Sequence, residues 1–177
     1  AAAHFLALGR DVGEITAADF PLPTLGNALQ DMADVLLNGC GFRLLSGWPV
    51  ARHNQETNAT VFCGIGAHLG LARSQNAAGH ILGHVRNTGA DASDPKTRIY
   101  QTAERQSFHT DSADVVALMC LADAREGGDS LLVSAVSVFN HMLENTPKLA
   151  AALFEPIATD RRGEVPEGMQ PWMTIPV

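Results

Sequence analysis

A histidine and an aspartate stand two positions apart in the stretch RQSFHTDSADVV, residues 105–116. Side chains at positions i and i+2 of a β-strand project from the same face, so a strand would present the His109 imidazole and the Asp111 carboxylate to a common point. A neutral nitrogen donor and a hard oxygen donor suit Fe(II) or another first-row divalent metal ion, and a second histidine would complete a facial site. The pair therefore predicts two ligands of a metal centre, and the alternative is a surface histidine beside a helix-capping aspartate.

Helical patterns lie on both sides of this pair. The first pattern follows Thr24 as a candidate N-cap and ends at Gly39, and the second follows Asn54 and closes at Gly70. After the pair, SVFNHMLENT repeats apolar residues at helical spacing, and a further helix is predicted to begin with Pro147. These patterns predict helices that flank the candidate centre.

Strand-like runs surround the His–Asp pair more closely. RIYQT, DVVALMCL and SLLVSAV are rich in apolar residues and are separated by polar or glycine-rich turns, and shorter runs occur in GFRLLSGWPV, at 81–85 and in PWMTIPV. The text between 72 and 97 is loop-like, and loops of this length are often functional. No repeat or linker divides the chain. We therefore predict one α+β domain over residues 1–177, with its chemistry near the middle strands.

Composition and charge exclude several classes of function. With 177 residues, of which 46% are hydrophobic, the chain is long enough for one domain with a core. A net charge of −7 with 12 scattered Lys and Arg residues argues against nucleic-acid binding. No apolar run has the length of a membrane span, and three single cysteines, at Cys40, Cys63 and Cys120, are typical of buried thiols in a reducing compartment. The sequence predicts a cytoplasmic protein without a nucleic-acid or membrane partner.

Two longer motifs follow one another in a specific order. FHTDSAD at 108–114 precedes an apolar run, and GGDSLLVS at 127–134 precedes a helix. In these motifs the chain resembles the TauD/TfdA-like Fe(II)/2-oxoglutarate-dependent dioxygenases. The resemblance extends from GFRLLSG to the end of the chain and includes HLG at 68–70 and ATDRRGEVPEG at 158–168. It implies a double-stranded β-helix, or jelly roll, with flanking helices.

The resemblance also implies roles for three residues. His109 and Asp111 match the proximal histidine and the carboxylate of the iron site in this family. Ser130 matches the hydroxyl residue that helps to hold a carboxylate of 2-oxoglutarate, a position where threonine is usual. The implied cofactors are Fe(II) and 2-oxoglutarate, and the implied reaction is hydroxylation of a small organic substrate by O2, with 2-oxoglutarate decarboxylated to succinate.

Two further residues are predicted to contact the substrate. Asn76 lies in the long loop, where an amide side chain can bind a small polar molecule, and a solvated turn explains it equally well. Tyr100, the sole tyrosine, falls on a predicted strand upstream of the His–Asp pair, where it would line the pocket. Ordinary strand packing is the alternative for Tyr100.

Part of the family's site has no match in this sequence. In the family, a distal histidine and an arginine that binds 2-oxoglutarate come later in the chain, on closing strands of the jelly roll. The remaining histidines all lie elsewhere: His4, His53, His68, His80, His84 and His141. We therefore expect a jelly roll that is incomplete at its C-terminus, with open strand edges that favour a homo-oligomer, weak iron binding and little turnover.

Two other functions stay open at the level of sequence. One is a non-catalytic jelly-roll-type domain that binds a partner or an ion. The other is a zinc-dependent hydrolase that uses the same His109 and Asp111 and needs no 2-oxoglutarate. His80 and His84 have the spacing of a helical zinc motif, but the glycines before each of them disfavour a helix, so we predict histidines in a loop or a strand.

Overall fold

The computed structural model describes residues 1–76, 78–94, 97–111, 113–161, 165 and 167–175. Within these ranges the chain contains five α-helices and two β-strands, besides three short 3₁₀ turns. In chain order these are α1 (Ala2–Ala7), α2 (Gly26–Asn38), α3 (Gln55–Gly66), α4 (Ala135–Asn145), α5 (Pro147–Ala152), β1 (Ile157–Asp160) and β2 (Trp172–Ile175).

The chain divides into two compact units. The first unit comprises Ala1–Gly83 and Thr110–Gly128, and the second comprises His84–His109 and Asp129–Val177. Helices α1 to α3 belong to the first unit, whereas α4, α5 and the strands belong to the second.

Helix α2 forms where the sequence predicts a helix. Its N-cap is Leu25, one residue after the predicted Thr24, and Gly39 ends it with a backbone N–H that donates to the carbonyl of Val35. Leu29 and Met32 are buried, as their helical spacing requires. The predicted amphipathic face is therefore part of the core.

Helix α3 begins at the predicted cap. The Asn54 Oδ1 accepts a hydrogen bond from the backbone N–H of Thr57 at 2.8 Å, which satisfies one of the unpaired donors of the first turn. The helix ends at Gly66 rather than at the predicted Gly70. After it, the chain closes in a turn, where the N–H of Gly70 still donates to the Gly66 carbonyl.

The core of the first unit lies where Phe20 meets α3. Phe5, Phe20, Leu29 and Val61 are buried. A side chain at Gly64 would overlap the Phe20 ring, so the absence of a Cβ at this position permits the close approach.

Helices α4 and α5 confirm the predictions for the last third of the chain. The Ser134 side chain caps α4 by accepting from the N–H of Ser137, and Pro147 occupies the first turn of α5. The ring of Phe139 on α4 contacts the ring of Phe154, which follows α5, edge to face with centroids 5.8 Å apart. This contact packs α4 against the segment at the end of α5.

The sheet of the second unit is a single antiparallel pair. Ile157 pairs with Ile175 and Asp160 with Trp172, and the Arg161 N–H donates to the Pro171 carbonyl just beyond the ladder. The strand predicted in PWMTIPV is therefore confirmed over Trp172–Ile175.

The strands predicted around the His–Asp pair are wrong for the described residues. The run at 98–102 contains a 3₁₀ turn, 114–121 is irregular, and 130–134 is irregular before α4; GFRLLSGWPV and 81–85 also form no strand. A strand needs the backbone of a partner strand, which β-propensity alone does not supply. Without that cover Leu118 is 77% exposed and Leu132 is 74% exposed.

The described part of the chain thus contains one small sheet, whereas a jelly roll uses about eight strands. The jelly roll implied by the resemblance stays a prediction.

The cysteines differ from the expectation of three buried thiols. Cys63 is buried on α3, and burial, with a smaller contribution from the charge of Asp11, raises the pKa of its thiol to about 11. Cys40 and Cys120 are exposed and lie on irregular segments.

The described helices are all too short or too polar to cross a lipid bilayer.

Candidate metal centre

His109 is held by two hydrogen-bonding groups that precede it in the second unit. Its Nδ1 lies 2.9 Å from the backbone carbonyl of Ser107, and its Nε2 lies 3.1 Å from the side-chain nitrogen of Gln106. A carbonyl oxygen only accepts, so Nδ1 carries the proton and donates to it. Nε2 is then the acceptor of the Gln106 amide and bears the lone pair that a metal ion would use.

The segment that leads to His109 is shaped by the 3₁₀ turn Ile99–Gln101. The Gln101 side chain accepts from the Arg98 N–H, and the Thr102 hydroxyl donates to the Ile99 carbonyl. These local bonds turn the chain where the sequence predicts a strand.

Tyr100 lies inside this turn and not on a strand. Its carbonyl accepts from the N–H of Arg86 at 3.1 Å, and its side chain is 38% exposed. The predicted strand location is wrong because the Arg98–Gln101 capping interaction satisfies the backbone locally.

Asp111 belongs to the first unit and is exposed on an irregular segment. Its backbone carbonyl accepts from the N–H of Ala113 at 2.9 Å. Because neither position 109 nor position 111 is in a strand, the prediction that one strand face presents both side chains is wrong.

The amide of Asn76 organises a turn in the first unit. Its Oδ1 accepts from the N–H groups of Ala78 and His80, and its Nδ2 lies 3.0 Å from the His80 Nδ1. This is the turn-forming role that an Asn side chain plays in loops. His80 and His84 lie outside any helix, as predicted, and His84 lies on an irregular segment where the sequence predicts a strand.

Ser130 lies on the exposed, irregular segment before α4 in the second unit. His68, in contrast, is a boundary histidine of the first unit, since its Nε2 lies 2.8 Å from the carbonyl of Phe20 and donates to it.

The imidazole of His109 and the carboxylate of Asp111 are donor types that bind first-row metal ions. Metal-binding histidines commonly donate their second N–H to a backbone carbonyl, as His109 does to Ser107. Asp111 adds a carboxylate, the other donor type of a facial triad. Among the residues that the structure describes, however, no three His, Cys, Asp or Glu side chains are grouped so as to hold a metal ion. A third protein ligand is not assigned.

Sequence reasoning missed Gln106 and Ser107. The available signal was an amide and a backbone carbonyl within three positions of the candidate ligand, but their contacts depend on the backbone conformation of an irregular segment.

Comparison with known proteins shows which family the chain matches. Residues 6–172 match the family described as "Taurine catabolism dioxygenase TauD, TfdA family". The chain is 32% identical over 164 residues to the FR-33289 synthase of Streptomyces rubellomurinus (strain ATCC 31215), a match that covers 92% of this chain and 48% of that protein.

A second relative is the taurine hydroxylase-like protein SAT17 of Stachybotrys chartarum (strain CBS 109288 / IBT 7711). It is 31% identical over 159 residues, which are 85% of this chain and 41% of that protein. The chain therefore spans about half, or somewhat less, of the length of these curated relatives.

Proposed function

Because the chain belongs to the TauD, TfdA family of dioxygenases, we propose that its function is Fe(II)- and 2-oxoglutarate-dependent hydroxylation of a small organic molecule by O2. The match over residues 6–172 is the observation that carries this proposal. With it we propose that residues 1–177 belong to one domain of this family and that the family's jelly roll is its scaffold.

In this proposal His109 and Asp111 are ligands of Fe(II). The hydrogen bond from His109 Nδ1 to the Ser107 carbonyl supports this role, because it orients the ring and places the lone pair of the neutral imidazole on Nε2. None of the six other histidines is assigned as the second histidine of the triad. Two protein ligands hold Fe(II) less firmly than three, so we expect weak iron binding by residues 1–177.

Ser130 is proposed to bind a carboxylate of 2-oxoglutarate through its hydroxyl group. Its exposure leaves that hydroxyl accessible to a ligand. When bound, Fe(II) and 2-oxoglutarate supply the oxidising chemistry, and the residues of the chain hold these cofactors and orient the substrate.

Asn76 and Tyr100 are both proposed to contact the substrate, and they differ in how accessible their side chains are. The amide of Asn76 is engaged with the turn around His80, whereas Tyr100 has an exposed side chain that a ligand can reach. The proposed substrate is a small organic molecule.

A cytoplasmic location is proposed from the cysteines, all three of which are free thiols. Free thiols are typical of a reducing compartment.

Anaerobic titration with Fe(II) and 2-oxoglutarate tests the proposed function. The chelate of 2-oxoglutarate with iron has a weak visible charge-transfer band, which we expect in the wild-type chain and not in His109→Ala. His141→Ala is the matched control, since His141 is an exposed histidine of the same unit on α4. Absence of the band in a folded wild-type chain, or its persistence in His109→Ala, would refute the proposal.

The family match does not favour the two alternatives, a non-catalytic binding domain and a zinc hydrolase. A zinc hydrolase would act without 2-oxoglutarate, and a binding domain would show no band that depends on His109.

A further inference from the structure

We propose that Met169 is a site of reversible sulfoxidation, and that the oxygen of its sulfoxide accepts a hydrogen bond from Arg161. Arg161 directly follows β1, and Met169 lies on the bend that precedes β2. Both residues belong to the second unit, and neither is part of the proposed metal centre.

Exposure distinguishes Met169 from the other methionines of the chain. Met169 is 57% exposed. The other four are buried or only partly exposed: Met32, Met119, Met142 and Met173. An oxidant must reach the thioether sulfur directly, so susceptibility to oxidation follows exposure. A dissolved peroxide therefore reaches Met169 most readily.

The guanidinium group of Arg161 lies beside this sulfur. Its Nη2 is 4.0 Å from the Met169 Sδ, and a thioether sulfur is only a weak acceptor. The Nε of the same group is buried and has no hydrogen-bond partner in the described part of the chain. Arg161 thus has donor capacity that a stronger acceptor next to it can use.

Oxidation converts the weak acceptor into a strong one. When hydrogen peroxide reacts with the thioether, its O–O bond breaks, an S–O bond forms from a sulfur lone pair, and water leaves. The sulfur is oxidised by two electrons and the peroxide is reduced by two, with no net gain or loss of protons. An oxygen on the side of the sulfur that faces Arg161 lies closer to Nη2 than the sulfur does, where a charge-assisted hydrogen bond forms.

The new bond would link the two ends of the β1–β2 connection. The Arg161 N–H already donates to the Pro171 carbonyl at 2.9 Å, just beyond the ladder. A side-chain bond to Met169 adds a second link between the same two segments, so this end of the hairpin should open less often. A net hydrogen bond of ordinary strength corresponds to roughly a two- to tenfold change in an equilibrium constant.

Peptide mapping by mass spectrometry, after brief treatment of the 177-residue chain with hydrogen peroxide, tests the site. We expect sulfoxide to form at Met169 at least about twice as fast as at any other methionine. The comparison is made among methionines, because the exposed thiols of Cys40 and Cys120 also react with peroxide. Equal rates, or faster oxidation of another methionine, would overturn the assignment of Met169.

Hydrogen exchange of the Arg161 backbone amide tests the bond to the sulfoxide. Oxidation should slow this exchange roughly two- to tenfold in the wild-type chain, and methionine sulfoxide reductases should restore the original rate. Met169→Leu is the matched control, since it keeps the same thiols and an apolar side chain but cannot form the sulfoxide. It should show no change on treatment with peroxide.

Arg161→Ala removes the donor and keeps the backbone amide whose exchange is measured. This variant should still be oxidised at Met169, without slower exchange. The guanidinium ¹⁵N signals of Arg161 supply a readout that needs no variant, and we expect them to shift on oxidation of the wild-type chain. Unchanged signals, unchanged exchange in the oxidised wild type, or equal slowing in Arg161→Ala would each overturn the hydrogen bond.

Discussion

A backbone carbonyl decides which nitrogen of His109 can serve as a ligand. The sequence motif identifies His109, Asp111 and Ser130 as candidates because their types and spacing resemble those of a family. It does not identify Ser107 or Gln106, because any residue carries a backbone carbonyl and only the folded segment brings it to the ring. Candidate ligands can thus be proposed from the sequence and stay a prediction, whereas the groups that contact them come only from the folded segment.

Substitution of Ser130 tests the second cofactor contact at this scale. Ser130→Ala should raise the 2-oxoglutarate concentration for half-saturation about fivefold, since one hydrogen bond of about 1 kcal/mol is lost. Ser130→Thr keeps the hydroxyl and should bind nearly as wild type does. The charge-transfer titration measures both, with Ser93→Ala as a control in an exposed loop. Equal affinities of Ser130→Ala and wild type would remove Ser130 from the site.

Two positions of helix α3, Asn58 and Gly64, determine how the helix packs in the first unit. The buried Asn58 side chain donates to the carbonyls of Val50 and His53 and accepts from the Trp48 indole at 2.7 Å. The Trp48 ring also stacks on His53 with centroids 4.6 Å apart. Asn58 therefore ties the preceding loop to the helix.

Gly64→Ala should destabilise the first unit by about 1–3 kcal/mol or more, because the new methyl group overlaps the Phe20 ring. Gly66→Ala is the control on the same helix, where a Cβ meets no atom within 4 Å. This control should be neutral or stabilising by about 0.5–1 kcal/mol, as alanine favours helix over glycine. Urea denaturation followed by circular dichroism measures both, and equal stabilities of the two variants would contradict the packing described.

Asn58→Ala should cost about 2–4 kcal/mol of unfolding free energy, because it leaves the Trp48 indole and two backbone carbonyls without their partner. Asn38→Ala serves as the comparison, since its amide bonds the exposed Asp34 carboxylate. The same denaturation experiment applies. A loss below about 0.5 kcal/mol in Asn58→Ala would mean that this network does not stabilise the unit.

The helices were predictable from the sequence to a greater extent than the strands. Caps such as Asn54 and a first-turn Pro147 act within a few residues, so a local pattern contains the information. A strand forms only when a distant segment pairs with it, and the apolar runs at 114–121 and 130–134 find no such partner in the described structure. The jelly roll is therefore an expectation from family membership and not from local sequence patterns.

At the scale of the whole molecule, the chain matches 48% and 41% of two curated relatives and has many large apolar side chains on its surface. Exposed apolar groups favour association, because burial against another surface removes them from water. Leu44 and Leu71 in the first unit and Leu132 and Val136 in the second are examples.

We accordingly expect the 177-residue chain to self-associate. Sedimentation velocity over a range of concentrations should show species above the 18.8 kDa of one chain, with a fraction that grows with concentration. A single 18.8 kDa species at all concentrations would contradict this expectation.

The most direct test of the account is a double-mutant cycle on metal affinity. His109→Ala, Asp111→Ala and the double variant are titrated with Co(II), with Asp114→Ala as a nearby carboxylate control. If both residues bind one ion, each single substitution should weaken binding about tenfold or more, and the double variant should lose little beyond that, because the ligands act as a unit. Additive losses, or an Asp111→Ala variant that binds as wild type does, would contradict a shared metal centre.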